Sequence, residues 1–464
     1  MIGVMEYWIE NRKELCIKKI IALLAVAAWF LFIETVFAAQ PDYLTQERPV
    51  PGSVKDLREP LSEAFFEEEI PSFFPRLKQK LESMPSFWRN SSLALNVRSY
   101  YYYKDTTNTR DNEAWTLGGS LDYESGWWKD RLKIGAAVYT SQKLYGPQDK
   151  DGTLLLKPGQ ESFTVLGQAY LEGRIAEGIN LHLFRQTLNL PYVNKQDSRM
   201  VPSTFEAYSL EGRSIHNTDF ILSHVTKMKT RNSSKFRYIS EVAGFSGTDR
   251  GLSLAGARHS ISKDINIGAI TLYAWDLWNT VYAEGNSVWE LSDQVAIRLS
   301  GQFTAQQSVG EELDGDFSTH VFGGKAALSY RGVILNFAFS STGNDSDIRS
   351  PFGDYPGYLS LMEKDFDRAG EDAWLLGVSY DFSFLGIDGL SAFANYARGD
   401  TPDSGKIASP DQEEFDLTVD YHFKKGPLKG FWLRFRSAYV NQDGPGGQDI
   451  DNFRIILNYD VPIL

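Results

Sequence analysis

From residue 92 onward, apolar and polar residues alternate in long runs. In Phe415–Phe423, aromatic and aliphatic residues occupy every second position, and polar or acidic residues lie between them. Phe453–Val461 follows largely the same pattern. Successive side chains of a β-strand point to opposite faces, so the pattern predicts strands with one apolar and one polar face. The runs are about 10–13 residues long, which exceeds a usual globular strand and suits a tilted membrane-crossing strand.

The alternation predicts eighteen strands. Residues 235–245 are a nineteenth candidate, but they alternate poorly. Because bacterial outer-membrane barrels have an even number of strands, we assign residues 235–245 to a long loop. The predicted strands are 92–104, 114–126, 130–142, 162–175, 178–187, 205–213, 217–227, 251–261, 264–275, 278–291, 294–306, 318–330, 332–342, 373–384, 388–399, 413–424, 429–441 and 451–462.

The connections between these strands differ in length, and many aromatic residues lie near strand ends. Short turns on one rim, long loops on the other and aromatic girdles are typical of outer-membrane barrels. We therefore predict an all-β fold, an 18-stranded antiparallel transmembrane β-barrel over residues 92–464. A soluble β-sandwich or repeat β protein of the periplasm is the alternative. The long connections are 143–161, 188–204, 228–250, 343–372 and 400–412.

The residues before the barrel divide into two segments. Residues 1–38 have basic residues, an apolar run over Ile20–Ile33 and small residues near Ala38, which is the layout of a cleaved secretory signal. A single membrane anchor is the alternative, although the run is short for a bilayer. Residues 39–91 are rich in Pro and Glu, and we interpret them as a periplasmic lead-in segment with short amphipathic helices near 61–69 and 75–83.

Composition narrows the class of protein further. Aromatic residues make up 14% of the chain, which argues against a disordered protein. The net charge of −13 makes nucleic acid an unsuitable partner. A mean hydropathy of −0.31 excludes a bundle of membrane helices. The one cysteine, Cys16, lies in the predicted signal, so we expect no disulfide scaffold, thiolate metal site or cysteine nucleophile in the barrel.

Arginines on one late strand set the direction of its two faces. In 429–441, Arg434 and Arg436 share one face, and Leu433 and Phe435 share the other. An arginine facing lipid costs about 2–4 kcal/mol near the midplane, so we predict that the arginine face points into the lumen. The same parity predicts a set of further basic residues in the lumen: Arg98, Lys133, Arg174, Arg298, Lys325 and Arg454.

Two interpretations of these basic residues remain open. As a set, they could guide solute carboxylates, because fixed positive charge in a narrow pore attracts an anionic group. Individually, each could instead be a polar lining residue in a salt bridge with an acid such as Asp381, Asp416 or Asp420.

A loop motif supplies the candidate constriction. Asp197, Ser198 and Arg199 lie in the long connection 188–204, and we predict that they narrow the pore. A simple surface turn is the alternative. Residues of the connection 343–372 that could face them are Asp354, Tyr355, Asp365 and Asp367.

Catalytic, metal and cofactor sites are not indicated. The six histidines show no ligand spacing, and no nucleophile elbow, phosphate loop or dinucleotide fingerprint occurs. Asp149–Gly152 is typical of a turn rather than a calcium loop. We therefore expect no enzyme and no cofactor.

Several stretches have the order and spacing of a known family: Val97–Tyr102, Trp115, Gly118–Gly119, Tyr123–Gly126, Asp197–Thr204, Leu433–Arg436 and Asn452–Tyr459. Together they resemble the OprD family of outer-membrane porins over roughly residues 92–464. The resemblance implies an 18-stranded barrel, monomeric or trimeric, that takes up small and often carboxylate-bearing solutes. It also implies a ladder of basic residues along the pore and inward-folded loops that narrow it.

The pattern and the resemblance favour a channel for passive diffusion, with or without substrate selectivity, in the bacterial outer membrane after signal cleavage. Its expected partners are small solutes and outer-membrane lipids, not nucleic acid. A structural or adhesive envelope barrel and a lipid-acting outer-membrane enzyme are the alternatives.

Overall fold

The computed structural model describes residues 74–444 and 446–463. The predicted signal, 1–38, and most of the predicted lead-in segment lie outside the described residues. Two helices precede the barrel, α1 (Pro75–Glu82) and α2 (Ser86–Arg89). Pro75 is accepted in the first turn of α1, where no intrahelical N–H bond is lost. The helix predicted near 75–83 is thus present. Across the described part of the chain, every helix is too short or too polar to span a bilayer.

Eighteen antiparallel strands form a closed barrel. Each strand pairs with the next, and the last pairs with the first, from Ala94 opposite Pro462 to Thr106 opposite Ile450. All eighteen predicted strands are confirmed, with ends shifted by no more than a few residues. The strands are β1 (Ser92–Thr106), β2 (Asn112–Glu124), β3 (Leu132–Tyr145), β4 (Phe163–Ala176), β5 (Ile179–Gln186), β6 (Thr204–Ile215), β7 (Thr218–Lys229), β8 (Leu252–Ser260), β9 (Ile265–Ala274), β10 (Trp278–Ser292), β11 (Val295–Ser308), β12 (Ser318–Tyr330), β13 (Val333–Thr342), β14 (Asp372–Asp381), β15 (Leu390–Asp400), β16 (Asp411–His422), β17 (Phe431–Asp443) and β18 (Ile450–Pro462).

The barrel wall has an apolar outer face and a mostly polar inner face. Along β13, Leu335, Phe337 and Phe339 are exposed, while Ile334 and Ala338, which have the opposite parity, are buried. Exposed large apolar side chains on strand after strand would be unstable in water and suit hydrocarbon. Closure leaves no strand edge, so every backbone group of the wall can be paired without water.

The two rims differ in their connections. At one rim the turns are short, and Arg331 and Gly332 both adopt positive φ, as a two-residue hairpin turn with the twist of its strands requires. At the other rim, loops 146–162, 187–203, 230–251 and 343–371 are long. The predicted loop 235–245 contains only the two-residue strand Arg237–Tyr238, which pairs with β7, and a short helix, Ile239–Val242.

Long loops enter the barrel and build an apolar core against its inner wall. Phe352 of loop 343–371 stacks on Trp278 of β10, with ring centroids 5.9 Å apart. Tyr192 of loop 187–203 contacts Tyr355 edge to face at 5.9 Å. Buried aromatic pairs of this kind hold the loops in one arrangement. Loops 187–203 and 343–371 are therefore fixed inside the wall.

Candidate functional site

The predicted basic strand residues all lie on the inner face of the wall. The neighbours of Arg434 and Arg436 on the opposite parity, such as Leu433 and Tyr439, are exposed on the outside. Parity thus predicts the direction of the side chains correctly. It does not predict their partners. By their partners, the arginines of the wall and of the loops near this part of the lumen form three groups, and the other predicted residues lie elsewhere.

In the first group, a wall arginine is held by a wall acid. Arg434 is 1% exposed and makes two hydrogen bonds to the carboxylate of Asp420 on β16, Nε to Oδ1 at 2.6 Å and Nη2 to Oδ2 at 2.7 Å. It also lies over the ring of Trp432 at 4.5 Å. Arg436, two residues on, donates from Nε to Oγ1 of Thr418 at 3.1 Å. For Arg434, this is the salt-bridge alternative that the sequence left open.

In the second group, a wall arginine anchors a loop. Arg98 of β1 donates to Oδ1 of Asp197 at 3.0 Å and to the carbonyl oxygen of Arg199 at 2.6 Å. Arg454 of β18 donates from Nη2 to Oε1 of Glu363 at 2.7 Å. Lys104 donates to the other oxygen of Glu363 at 2.6 Å. These bonds tie loops 187–203 and 343–371 to adjacent strands.

The charge on Glu363 is maintained by its partners. Burial by itself would raise the pKa of this carboxyl, but the charges of Arg454 and Lys104 hold the pKa below its ordinary value. Its backbone is also held, because Glu414 of β16 accepts the N–H of Glu363 at 2.9 Å and that of Lys364 at 2.8 Å. Glu363 is therefore an ionised anchor at the point where the longest loop meets the wall.

The third group consists of two loop arginines joined by one serine. Arg199 donates from Nη1 to the carbonyl oxygen of Ser198 at 2.8 Å, and Arg231 of loop 230–251 donates to Oγ of the same serine at 2.6 Å. Arg199 also donates from Nε to the carbonyl oxygen of Thr153 at 3.0 Å and lies over the ring of Tyr102 at 4.9 Å. Within residues 74–444 and 446–463, neither arginine forms an ion pair with a carboxylate.

The surroundings of Arg231 are unusual for a guanidinium. Burial is the main cause that lowers its pKa to about 10, and the nearby positive charges of Arg199 and Arg454 lower it further. The carboxylate of Asp354 acts in the opposite direction. Arg231 remains cationic at neutral pH, and its positive charge is only partly compensated by the protein. We call Ser198, Arg199 and Arg231 the arginine pair site.

One acidic residue of loop 343–371, Asp354, is brought towards this site, and two others of the loop are half-buried. Asn194 of loop 187–203 accepts the N–H of Asp354 at 3.0 Å and donates to its carbonyl oxygen at 3.2 Å. The pKa of Asp365 is raised to about 6, mainly by burial and also by the charge of Asp354, while a hydrogen bond from Ser360 acts in the opposite direction. Burial also raises the pKa of Asp367, and its acidic neighbours add to that rise.

The remaining predicted residues lie elsewhere on the inner face. Lys133 bridges Glu124 at 2.5 Å and Glu172 at 3.6 Å near the short-turn rim. Arg174 lies over the ring of Trp127 at 4.2 Å at the same rim. Arg298 on β11 and Lys325 on β12 are half-buried, and strands β13–β16 separate them from Arg434 on β17. These four residues are not part of the arginine pair site.

Two functional residues were missed from the sequence. Arg231 lies in the loop 228–250, where no periodicity assigns a direction to a side chain. Glu363 lies in the loop 343–372, two residues before Asp365, one of the acids that we singled out. A search of the long loops for carboxylates that could pair with the wall arginines would have suggested Glu363.

The fold and its inner face define a class of protein, a channel-forming β-barrel of the bacterial outer membrane. The family model of the outer membrane porin, OprD family, matches residues 85–463. The chain therefore belongs to the OprD family. Its members are porins, which are channels and not enzymes, and they reside in the outer membrane.

Individual relatives agree with this assignment. The chain is 21% identical over 407 residues to the porin-like protein GalP of Pseudomonas putida, a match that covers 85% of this chain and 98% of that protein. The crystal structure of Pseudomonas aeruginosa OccK9 (OpdG) is similar with a TM-score of 0.75 at 23% identity, over 82% of this chain and all of that one. The structure of Pseudomonas aeruginosa OpdK with vanillate has a TM-score of 0.72 at 19% identity, over 80% and 99% of the two chains.

Proposed function

We propose that the channel prefers small hydrophilic solutes that carry a carboxylate. The observation that carries the proposal is the arginine pair site, where two guanidinium groups share Ser198 and form no ion pair within the described part of the chain. A guanidinium fork matches the two oxygens of a carboxylate. A solute carboxylate would supply the negative charge that Arg199 and Arg231 lack.

The arrangement also suits transport rather than permanent retention. Arg98 and Arg454 lie next to the arginine pair site but are already held by Asp197 and Glu363. A carboxylate that leaves Arg199 or Arg231 would therefore meet cations whose charge is largely satisfied and bind them weakly. Conduction needs binding that is strong enough to admit a solute and weak enough to release it.

The test compares gluconate with glucose, two solutes of similar size that differ in a carboxylate. The protein is reconstituted in liposomes, and the uptake of each solute is measured, with vanillate as a third solute. We expect Arg199→Gln with Arg231→Gln to lower gluconate uptake roughly tenfold, since a hydrogen bond to a charged group contributes about 1.5 kcal/mol or more. Glucose uptake should be nearly unchanged.

Arg237→Gln is the matched control, because Arg237 is an exposed arginine of the same loop as Arg231. It should leave gluconate and glucose uptake as in the parent protein. Equal loss of both solutes in the double variant would indicate a blocked pore. Unchanged gluconate uptake would show that the two arginines have a structural role only.

A further inference from the structure

The two helices before the barrel are docked on the short-turn rim. Ser86 donates from Oγ to the carbonyl oxygen of Trp127 at 3.0 Å, and the N–H of Gly126 donates to the carbonyl oxygen of Phe87 at 2.9 Å. A side chain at Gly126 has no room, because its Cβ would lie 2.1 Å from the carbonyl oxygen of Ser86. The N–H of Phe74 reaches the carbonyl oxygen of Ile463 at 3.4 Å. Residues 74–91 are therefore fixed beside the barrel wall.

Helix α1 has the side-chain distribution of an interfacial helix. At 3.6 residues per turn, Leu77 and Leu81 share one face. Lys80 flanks that face on one side and Lys78 on the other, while Arg76 lies further round the helix, as far from the face as Glu82. Gln79 and Glu82 are on the opposite side of the helix. A narrow apolar stripe bordered by cations is the pattern of a helix that lies in the plane of a membrane surface.

The apolar residues of this segment are not covered by the described barrel. Leu77 is 43% exposed and Trp88 is 50% exposed. Phe74, Met84 and, on the adjacent turn, Trp128 are exposed as well. The surface continues into the lipid-facing wall, where Leu95 of β1 and Ile134 of β3 are exposed on the neighbouring strands. Tryptophans are enriched where a membrane meets water.

The charge of this surface is opposite to that of the whole chain. Residues 74–91 and 127–131 contain six basic and two acidic residues, whereas the chain carries a net charge of −13. Within the described residues, none of the six cations forms an ion pair. They are Arg76, Lys78, Lys80, Arg89, Lys129 and Arg131.

We propose that residues 74–91, with the turn 127–131, form a membrane-binding surface for the periplasmic leaflet and prefer anionic phospholipid headgroups. The apolar stripe enters the headgroup region beside the barrel, and the flanking cations bind lipid phosphates. This surface is independent of the arginine pair site, so the proposed solute preference can fail without affecting it.

The test uses spin labels on the protein after signal cleavage, which removes Cys16, the one cysteine of the sequence. Leu77→Cys reports on the apolar stripe, and Gln79→Cys, on the opposite side of α1, is the matched control position. The protein is reconstituted in vesicles of phosphatidylcholine with and without phosphatidylglycerol. We expect oxygen to relax the label at position 77 and aqueous nickel to be excluded from it. Both effects should be larger in vesicles that contain phosphatidylglycerol. The label at position 79 should stay accessible to nickel.

A charge variant tests the headgroup preference. Three cations near an anionic surface should raise the affinity of this segment for the membrane roughly a hundredfold. Arg76→Gln, Lys78→Gln and Lys80→Gln together should therefore abolish the dependence of nickel exclusion on phosphatidylglycerol. Lys424→Gln with Lys425→Gln, on the short turn 423–430, should leave it unchanged. Equal nickel access at positions 77 and 79 in both lipids would overturn the proposal. Exclusion of nickel at position 77 only in whole envelopes would also overturn it, because a periplasmic partner would then cover the surface.

Discussion

Arginines on the barrel wall and arginines in the loops have opposite surroundings in this molecule. Arg434 is enclosed by the wall and bound through both oxygens of Asp420. Arg199 and Arg231 are bound by a serine and by backbone carbonyl oxygens, and they form no ion pair in the described structure. Arg434, whose direction is predicted from strand parity, is therefore less available to a solute than the two loop arginines.

The difference between the wall and the loop arginines follows from how far each guanidinium is removed from water. A guanidinium on a strand must lose most of its water when loops pack over it, and a buried charge is tolerated only with a paired partner. Acids on adjacent strands or on loops provide that partner. A guanidinium in a loop can keep part of its surface in the lumen, where solvent or a solute completes its hydrogen bonds.

Removal of the wall arginine Arg434 should change the stability of the protein most. Arg434→Leu leaves the carboxylate of Asp420 buried without its arginine. Within the described residues, its remaining side-chain hydrogen bond is the one from Trp432 Nε1 at 3.3 Å. We expect the free energy of unfolding to fall by about 3–5 kcal/mol. Urea unfolding in lipid vesicles, followed by tryptophan fluorescence, measures the change.

A double variant separates the lost pair from the lost packing. Arg434→Leu with Asp420→Leu removes both charges, and replacing a buried ion pair by apolar residues is often close to neutral. Most of the stability should therefore return. A double variant as unstable as Arg434→Leu alone would show that packing around Trp432, and not the unpaired carboxylate, sets the cost.

The next prediction removes the ion pair between a wall arginine and a loop carboxylate. Glu363→Gln keeps the size of the side chain but removes the charge that binds Arg454 and Lys104. We expect a loss of about 1–3 kcal/mol in the free energy of unfolding and a clear rise in anion preference. The reversal potential in a KCl gradient measures the preference. Asp403→Asn, an exposed acid of another long loop, is the control, and an equal shift there would point to bulk charge only.

A smaller effect concerns pH and the acidic side of the lumen. Asp365, whose pKa is about 6 through burial, ionises as the pH rises through that value. The added negative charge should lower gluconate uptake roughly twofold, as one charge acting through solvent within a Debye length would. Uptake measured from acidic to neutral pH should show this step, and Asp365→Asn should remove it. Asp345→Asn, an exposed acid of the same loop, should retain it.

The same carboxyl affects stability with a defined sign. Its pKa in the folded protein lies above the ordinary value of 3.8, so the folded state keeps a proton that the unfolded chain has already released. Stability should therefore fall as the pH rises from about 4 to about 6 and then level off. Asp365→Asn should reduce this slope. A slope that is identical in the variant would assign the pH dependence to other acids.

The smallest effect is expected at an exposed ion pair. Arg398 bonds Asp400 at 3.0 Å and Glu413 at 2.8 Å, but its side chain remains open to solvent. Exposed pairs contribute little, so Arg398→Gln should leave the urea midpoint unchanged within error. A shift as large as that of Arg434→Leu would mean that exposure does not distinguish the two arginines.

The positions of the wall strands and the direction of their two faces follow from the sequence pattern alone. Strands such as 318–330 and 429–441 were predicted within two residues because a period of two has only one structural meaning when both faces differ so strongly. Arg434 and Arg436 indicated which face is inside, because an arginine that faces hydrocarbon is strongly unfavourable. The even strand number then assigned residues 235–245 to a loop.

Only the tertiary structure decided which charges are available. Arg98 meets Asp197, which lies 99 residues away, and Arg454 meets Glu363, 91 residues away. Loops 187–203, 230–251 and 343–371 have no periodicity that gives a side chain a direction. Their course is set by aromatic packing inside the closed wall, as in the stack of Phe352 on Trp278. Local pattern therefore fixes the wall, while the arginine pair site arises from contacts that exist only after closure.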